Sequence, residues 1–417
     1  MTPTRISSNG SDRATGYLMS SKIVRTSESL FCGYLDAPES PGATAKIRVG
    51  VFDPETGENR STFTLGEGID NHCGPAIAMD RTGRMHAIVG THHGPFLYRW
   101  SDRPADPSTW SDPEPLGPDD TYPALTIDAE GTLHLAFREK GDRWQLWYRR
   151  KKQGKTWEAP VSLAISPVAG YNHFMQSLMV GPTGNLHLIF QFHFAENGQA
   201  ADCRGRAAVY LRSLDGGDTW INDADEKAVL PVTLETMKAV RYIPDGGDDR
   251  HAVRVANVLV DSQDRAWFLA SLQGATHGIV FRRDTEGWTE FDLGKWTNGL
   301  NLEGGRSSSL TRGPDGRIHL ALSTNPDGLR TSWYDPSLAL FHISFNEDGN
   351  DHTLTRISNP ESEAANWLPA LEHWDWNRTD TCCRDGHWLL HTRGLNAGGI
   401  GGNNKSALKT EVYLTRV

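Results

Sequence analysis

The feature that most constrains this 417-residue chain is a phrase that keeps returning: an acid or Gly, two residues, a Gly, a long or polar residue, an apolar residue, His, then alternating apolar residues. It reads DRTGRMHAIVG at 80–90, DAEGTLHLAFR at 128–138, GPTGNLHLIFQ at 181–191 and GPDGRIHLALS at 313–323. DSQDRAWFLAS at 261–271 and RDGHWLLHTR at 384–393 are looser copies. Glycine tolerates positive φ and the residues after it alternate with period two, so each copy predicts a tight turn opening a half-buried strand, not a helix.

After most copies comes a further strand, FLYRW, LWYRR, AVYLRS or IVFRR, and then Trp110, Trp157, Trp220 or Trp288, which makes units of four strands. The turn glycines, with Asp264 in one of their places, recur every 48 to 80 residues, a propeller-blade period once insertions are allowed. Six blades are visible, and a seventh fits residues 17–60, where SLFCGYL and KIRVGVF supply two strands. EVYLTRV at 411–417 repeats the outer-strand pattern, so the N-terminal segment is expected to complete the last blade, closing the ring and hiding its edges. The expected fold is therefore all-β, a single-domain seven-bladed β-propeller, with a tail at 1–16 and a catalytic propeller at 17–417. SLDGGDTW at 213–220 fits the Asp-box pattern S-x-D-x-G-x-T-W and reads as a blade-corner turn away from any ligand.

The formal charge of −10 and the absence of Lys/Arg runs argue against a phosphate-binding surface, so nucleic acid is not an expected partner. An acidic ligand can still be held if a few Arg and His gather in one pocket. Cys32, Cys73, Cys203, Cys382 and Cys383 are odd in number and widely spaced, unlike a disulfide framework. No stretch approaches the ~20 apolar residues that span a bilayer, and MTPTRISSNGSD lacks an apolar signal core. No membrane partner is expected. Localisation stays open: cytoplasmic as the sequence stands, secreted or periplasmic if a leader preceded it.

In a propeller the strand ends at one mouth of the axial channel aim at a common ligand. Aligned on the turn glycines, DNHCGP places His72 where YNHFMQ places His173, with Tyr122, His251 and Arg306 close to the equivalent position. Just past the following strand, THHG supplies His92 and His93, and the copies supply Arg138, His193, His277, Asn325 and Arg393. One mouth should be lined with His, Tyr and Arg. His86, His134, His187 and His319 fall mid-strand on what is expected to be the inner strand of each blade and read as scaffold groups bonded locally.

DNHCGP, THHGPFLYRWS and YPALTIDAEGTLHLAFR, in that order, resemble the BNR-type seven-bladed propellers that include the ulvan lyases and related rhamnose–glucuronate lyases and hydrolases. In the ulvan lyases two His about twenty residues apart are followed by a Tyr and then, about sixteen residues on, an Arg. Here His72 and His93 are 21 apart, and Tyr122 and Arg138 are 16 apart; the extra His92 departs from the pattern. The resemblance implies an acidic polysaccharide substrate cut by β-elimination beside a uronic acid. That chemistry asks for a cation on the carboxylate, a base for H5 and an acid for O4. Arg138 is expected to neutralise the carboxylate, His72 to act as base and Tyr122 as acid, these last two roles being exchangeable. His93 would orient the carboxylate or share the base role, with His92, Tyr171, His173, Arg306 and Asn325 binding substrate. The resemblance also implies a structural zinc, for which His193, Cys203, His251 and His277 offer N and S donors; no organic cofactor is expected. A hydrolase removing terminal rhamnose from glucuronate, and a non-catalytic sugar-binding propeller, are the alternatives. A sialidase is disfavoured, because one Asp-box and no Arg-Ile-Pro motif are present.

Overall fold

The computed structural model describes residues 3–40, 42–245, 253–272, 277–297, 308–325, 335–359, 364–396 and 408–417. They form seven antiparallel sheets: blade 1 (residues 23–68), blade 2 (76–117), blade 3 (120–165), blade 4 (177–242), blade 5 (253–292), blade 6 (308–356) and blade 7 (365–416). Each is a four-stranded meander, except that Asp106–Trp110 adds a fifth strand to blade 2. The first strands of neighbouring blades contact one another around the axis.

Blade 7 closes the ring with the N-terminal strand Thr4–Ser7, which pairs with Leu408–Arg416 in the register Thr4↔Leu414 and Arg5↔Tyr413. The expected tail is therefore part of the sheet: a strand edge left at 408–416 would expose a row of unpaired N–H and C=O groups, and residues 4–7 cover it. Farther along, residues 13–22 enter the channel. Ser20 Oγ donates to the Pro123 carbonyl (2.7 Å) and accepts from Leu125 N–H (2.8 Å), which anchors this segment to the first strand of blade 3.

The turn glycines behave as their positions require: Gly83, Gly131, Gly184 and Gly316 have φ near 80°, and Asp264 takes φ 62° in their place. The His that follows each turn belongs to the second strand, not the innermost, and so lies one strand away from the channel. In blades 2, 3 and 4 its two nitrogens meet an aspartate and a tyrosine, the aspartate coming from the same blade in blades 2 and 3 and from the turn of blade 5 in blade 4. His86, His134 and His187 set Nε2 at 3.4, 3.1 and 3.4 Å from Asp80, Asp128 and Asp264, and Nδ1 at 2.8, 2.7 and 2.7 Å from the hydroxyls of Tyr98, Tyr148 and Tyr210. A carboxylate only accepts, so Nε2 carries the proton and Nδ1 accepts from the phenol. Ser213 to Trp220 form the corner turn anticipated for them: Asp215 accepts from Ser213 Oγ (2.8 Å) and from the Thr219 amide (2.9 Å), while Trp220 is buried edge-on against Tyr148.

Candidate functional site

Antiparallel pairing sends the residues before each first strand and those after each second strand to the same mouth. There they line a cavity open to solvent, with about 630 Å³ of empty space counted out into its mouth, walled by Arg13, Tyr17, His72, Tyr122, Tyr171, His173, Met175, His193, Ala200 and Arg254. A second cavity, about 750 Å³, lies at the far ends of the first strands, where Leu125–Ile127 and Met179–Val180 meet the segment 372–378.

At the first mouth His72 and His92 stack with ring centroids 4.3 Å apart and 17° between planes. His92 Nδ1 donates to Asp70 Oδ2 at 2.5 Å, and its Nε2 lies 3.3 Å from the Tyr122 hydroxyl. Because Asp70 fixes the proton on Nδ1, Nε2 is the acceptor, and a carboxylate–imidazole–phenol chain runs from behind the wall to the cavity. Arg13 donates to His72 Nε2, and Asp70 Oδ1 accepts from the His72 backbone N–H at 2.8 Å. The Tyr122 ring meets Tyr17 and His173 edge-on at 5.4 and 5.0 Å.

The local backbone explains this aim. Tyr122 sits at φ 58°, where the register of blade 3 shifts between Thr121 and Ala124, and Pro123 follows it. A left-handed non-glycine residue costs of order 1–3 kcal/mol and persists only where its surroundings hold it. Here the Tyr122 amide donates to Thr91 O (3.1 Å) and Gln176 donates to the Tyr122 carbonyl.

Electrostatics set the resting protonation. Burial alone would raise the Asp70 carboxyl, but hydrogen bonds from His72 and His92 outweigh it and hold the group well below the ordinary range. Burial lowers His72 to about 3, with the Arg13 charge adding to the effect, and lowers His92 to about 4. Burial also raises the Tyr122 phenol well above its usual value, against the pull of Arg138. At neutral pH the site therefore holds a carboxylate, two neutral imidazoles and a protonated phenol.

Several expected site residues take other places. His93, at φ 50°, is turned away from the cavity toward Asp119 (3.3 Å) with its side chain 36% exposed; His92 is the member of the pair that meets His72 and Tyr122. Arg138 is fully buried and does not line the cavity. Its guanidinium lies 4.3 Å from the Tyr122 ring centroid, 4.4 Å from Trp144 and 5.1 Å from Tyr171, and Nε donates to Thr121 Oγ1 at 2.7 Å. Three rings cover it because its strand runs behind Tyr122, so Arg13 and Arg254 are the guanidiniums at the cavity wall. Tyr171 and His173 do line it. Asn325 is buried toward Ser337 (2.9 Å) in its own blade, and Arg306 lies outside the described residues.

Of the expected zinc donors, His193 lines the cavity and Cys203 flanks the loop at the same end of the hairpin, two residues before Gly205, with which His193 is paired. His277 packs against Gly294, and His251 lies outside the described residues. The donor types suit zinc, but His193, Cys203 and His277 do not by themselves bring three ligand atoms within 4.8 Å of one another; among the described residues only Asp70, His72 and His92 do.

Asp70, Arg13, Tyr17 and Arg254 were not anticipated from the sequence. Asp70 opens the DNHCGP phrase itself, two residues before His72; Arg13 falls in the segment read as a tail.

A family model described as a BNR repeat-containing family member matches residues 45–296. The chain belongs to the BNR repeat-containing family. Its relatives include the ulvan lyase (PL25) of Pseudoalteromonas sp. (strain PLSV), 28% identical over 224 residues that make up 45% of this chain and 46% of that protein. An ulvan lyase of Alteromonas sp. (strain LOR) is 26% identical over 196 residues, 41% of this chain and 40% of that one. The chain thus matches about half the length of these curated relatives. Among solved structures, a PL25 ulvan lyase bound to -[GlcA(1-4)Rha3S]- superposes with a TM-score of 0.70 at 15% identity, covering 100% of this chain and 96% of that one. The polysaccharide lyase Uly1 superposes with a TM-score of 0.61 at 12% identity, covering 100% and 99%. At these identities what is shared with this BNR-family propeller is the fold.

Proposed function

We propose that this chain is a polysaccharide lyase that cleaves the bond at O4 of a uronic acid, glucuronate or iduronate in a rhamnose-linked acidic glycan, by β-elimination. The observation that carries this reading is the Asp70–His92–Tyr122 chain beside His72, facing a cavity walled by Arg13 and Arg254 and, among the described residues, by no carboxylate. A glycoside hydrolase normally places two carboxylates across the scissile bond, which this wall does not supply. The ulvan-lyase relatives, and the glucuronate–rhamnose ligand of the solved one, support the same substrate class.

In this mechanism the uronate carboxylate engages Arg13 and Arg254, whose charge favours the enolate-like state formed when H5 leaves. Drawing Arg13 onto the carboxylate also releases the His72 Nε2 lone pair that it now occupies. His72 takes H5, the C5–H electrons form the C4–C5 double bond, the C4–O4 bond breaks, and O4 takes the proton of Tyr122. Arg138, under the ring, offsets the phenolate charge that remains; the proton that His72 took from C5 then returns through water in the cavity to the phenolate, which restores neutral His72 and the phenol, while Asp70 keeps His92 Nε2 as the acceptor of the re-formed hydroxyl. Tyr171 and His173 extend the sugar-binding surface. A zinc ion on His193, Cys203, His251 and His277 would be structural, tying blade 4 to blade 5, and no step passes through it.

The test follows the ultraviolet absorbance of the unsaturated uronate and, in parallel, new reducing ends, on ulvan-type polysaccharide before and after carboxyl reduction. A lyase yields both signals in equal amounts and loses both on the reduced polymer. Reducing ends without the double bond would replace this reading with the hydrolase.

A further inference from the structure

The connection from first to second strand lies at the end of the channel away from the catalytic mouth. In blades 2 to 6 it is a tight turn, at 80–84, 128–132, 181–185, 261–265 and 313–317, but in blade 7 it runs from 372 to 387 and folds across the channel end. Four other blades hold this cap in place. The Trp374 amide donates to Thr311 Oγ1 of blade 6 (2.8 Å), Trp376 Nε1 to the Val260 carbonyl of blade 5 (3.1 Å), Asn377 Nδ2 to the Ile127 carbonyl of blade 3 (2.7 Å), and Arg378 to the Arg25 carbonyl of blade 1.

Protein interiors are close-packed, so a loop serving only as a plug would fill the channel. This one leaves the far cavity, open to solvent, with about 750 Å³ of empty space counted out to its opening, in the range of small-ligand pockets. The strand ends contribute Met79, Ile127 and Val180 to its wall, and the cap contributes His373, Trp374 and Asp375. Two of these keep unused hydrogen-bonding groups. Trp374 is 6% exposed and its Nε1–H has no acceptor, and the His373 imidazole makes no hydrogen bond among the described residues. A buried N–H without an acceptor is costly, and a ligand hydroxyl supplies one.

Charge limits what fits. Arg25 is paired with Glu372 at 2.5 Å, the Arg378 charge offsets the Asp375 carboxylate, and burial lowers His373 to about 4, so its ring is neutral at pH 7. With the charges balanced, an ionised ligand would lose its hydration without gaining a counter-charge. Indole rings, free hydrogen-bonding groups and an apolar wall suit a neutral sugar, whose C–H face packs on aromatic rings and whose hydroxyls meet the polar groups.

We infer that the far cavity is a binding site for a neutral sugar unit, built by the blade 7 cap and separate from the catalytic mouth. Access is from the far end: Met19, which lines the far cavity, and Met175, which lines the mouth, are both buried and meet at a small void between the two. No group of the proposed elimination takes part, so the inference stands apart from that reading.

L-Rhamnose, uncharged and with one apolar methyl edge, is the probe, and D-glucuronate is its charged counterpart. Saturation-transfer NMR titrations follow both sugars on the parent, on His373→Ala, on Trp374→Phe and on Tyr122→Phe, which alters the mouth alone. His373→Ala removes a side chain that makes no hydrogen bond, and Trp374→Phe keeps a ring in place, so both should retain the parent's denaturation midpoint and turnover. L-Rhamnose should bind saturably to the parent and to Tyr122→Phe, and about tenfold more weakly to the two cap variants. Crystals of the parent soaked in L-rhamnose should show the sugar under the cap. The proposal is overturned by the absence of saturable binding, by equal affinity in parent and cap variants, by glucuronate binding as tightly as rhamnose, or by water alone under the cap.

Discussion

At the scale of single residues, the site turns on which atom holds which proton. Asp70 accepts from His92 Nδ1, which leaves Nε2 to face the Tyr122 hydroxyl. In Asp70→Asn the amide donates to Nδ1 instead, the imidazole proton moves to Nε2, and the phenol loses its acceptor. The rate should then fall ~10²- to 10⁴-fold with KM little changed, as read by steady-state formation of the unsaturated product. A fall in kcat/KM that came wholly from KM would assign Asp70 to binding instead. Arg138 invites a different comparison, since it touches Tyr122 through the ring face rather than touching the cavity. Lysine keeps the charge but not the planar group wedged between Tyr122, Trp144 and Tyr171, so Arg138→Lys should lower kcat ~10²-fold and leave KM near the parent value. A large rise in KM would return Arg138 to direct contact with the carboxylate.

At the scale of strands and turns, the repeat did most of the work of prediction. The turn glycines and the period-two apolar pattern located blades 1 to 7, because both depend on neighbours within a few residues. The scaffold role of the repeated His was legible for the same reason: His134 and its partners Asp128 and Tyr148 lie within 20 residues on one sheet. What stayed hidden depends on contacts between distant segments. Arg13 reaches His72 across 59 positions, and the choice of His92 over His93 rests on a positive φ that no local pattern announces. Two predictions belong here. Replacing His134 by Phe should cost about 1–3 kcal/mol, because Asp128 loses its buried donor, and it should leave KM unchanged; chemical denaturation and steady-state kinetics check both parts. Tyr122→Phe should do the reverse, abolishing turnover with an unchanged denaturation midpoint, since the ring packing remains and only the hydroxyl is lost.

For the whole molecule, buried histidines, with His72 and His92 at the mouth, His373 at the far cavity and His391 in blade 7, set how the propeller responds to acid. Burial holds His72 and His391 at about 3 and His92 and His373 at about 4 in the folded chain, against 6.5 when unfolded. Between pH 6.5 and about 4 the unfolded chain binds protons at these four positions that the folded chain refuses, so stability is lost as pH falls through that window. Asp120 works the other way. Burial and the nearby Glu139 raise it to about 7, so over the same range the folded chain keeps a proton that the unfolded chain has released, and stability gains as pH falls. Burial likewise lowers His173, His319, His342 and His387 and raises Asp223, Glu372 and Asp375, so eight lowered imidazoles outnumber four raised carboxyls. Each uncompensated proton is worth ~1.4 kcal/mol per pH unit, so metal-free protein should unfold at markedly lower denaturant at pH 5 than at pH 7. Denaturation curves at half-unit intervals, with chelator present so that no ion masks an imidazole, measure the slope. A flat or rising profile from pH 6.5 to 4.5 would mean that the mouth histidines take up protons in the folded state, which would in turn remove the neutral His72 and His92 on which the proposed elimination depends.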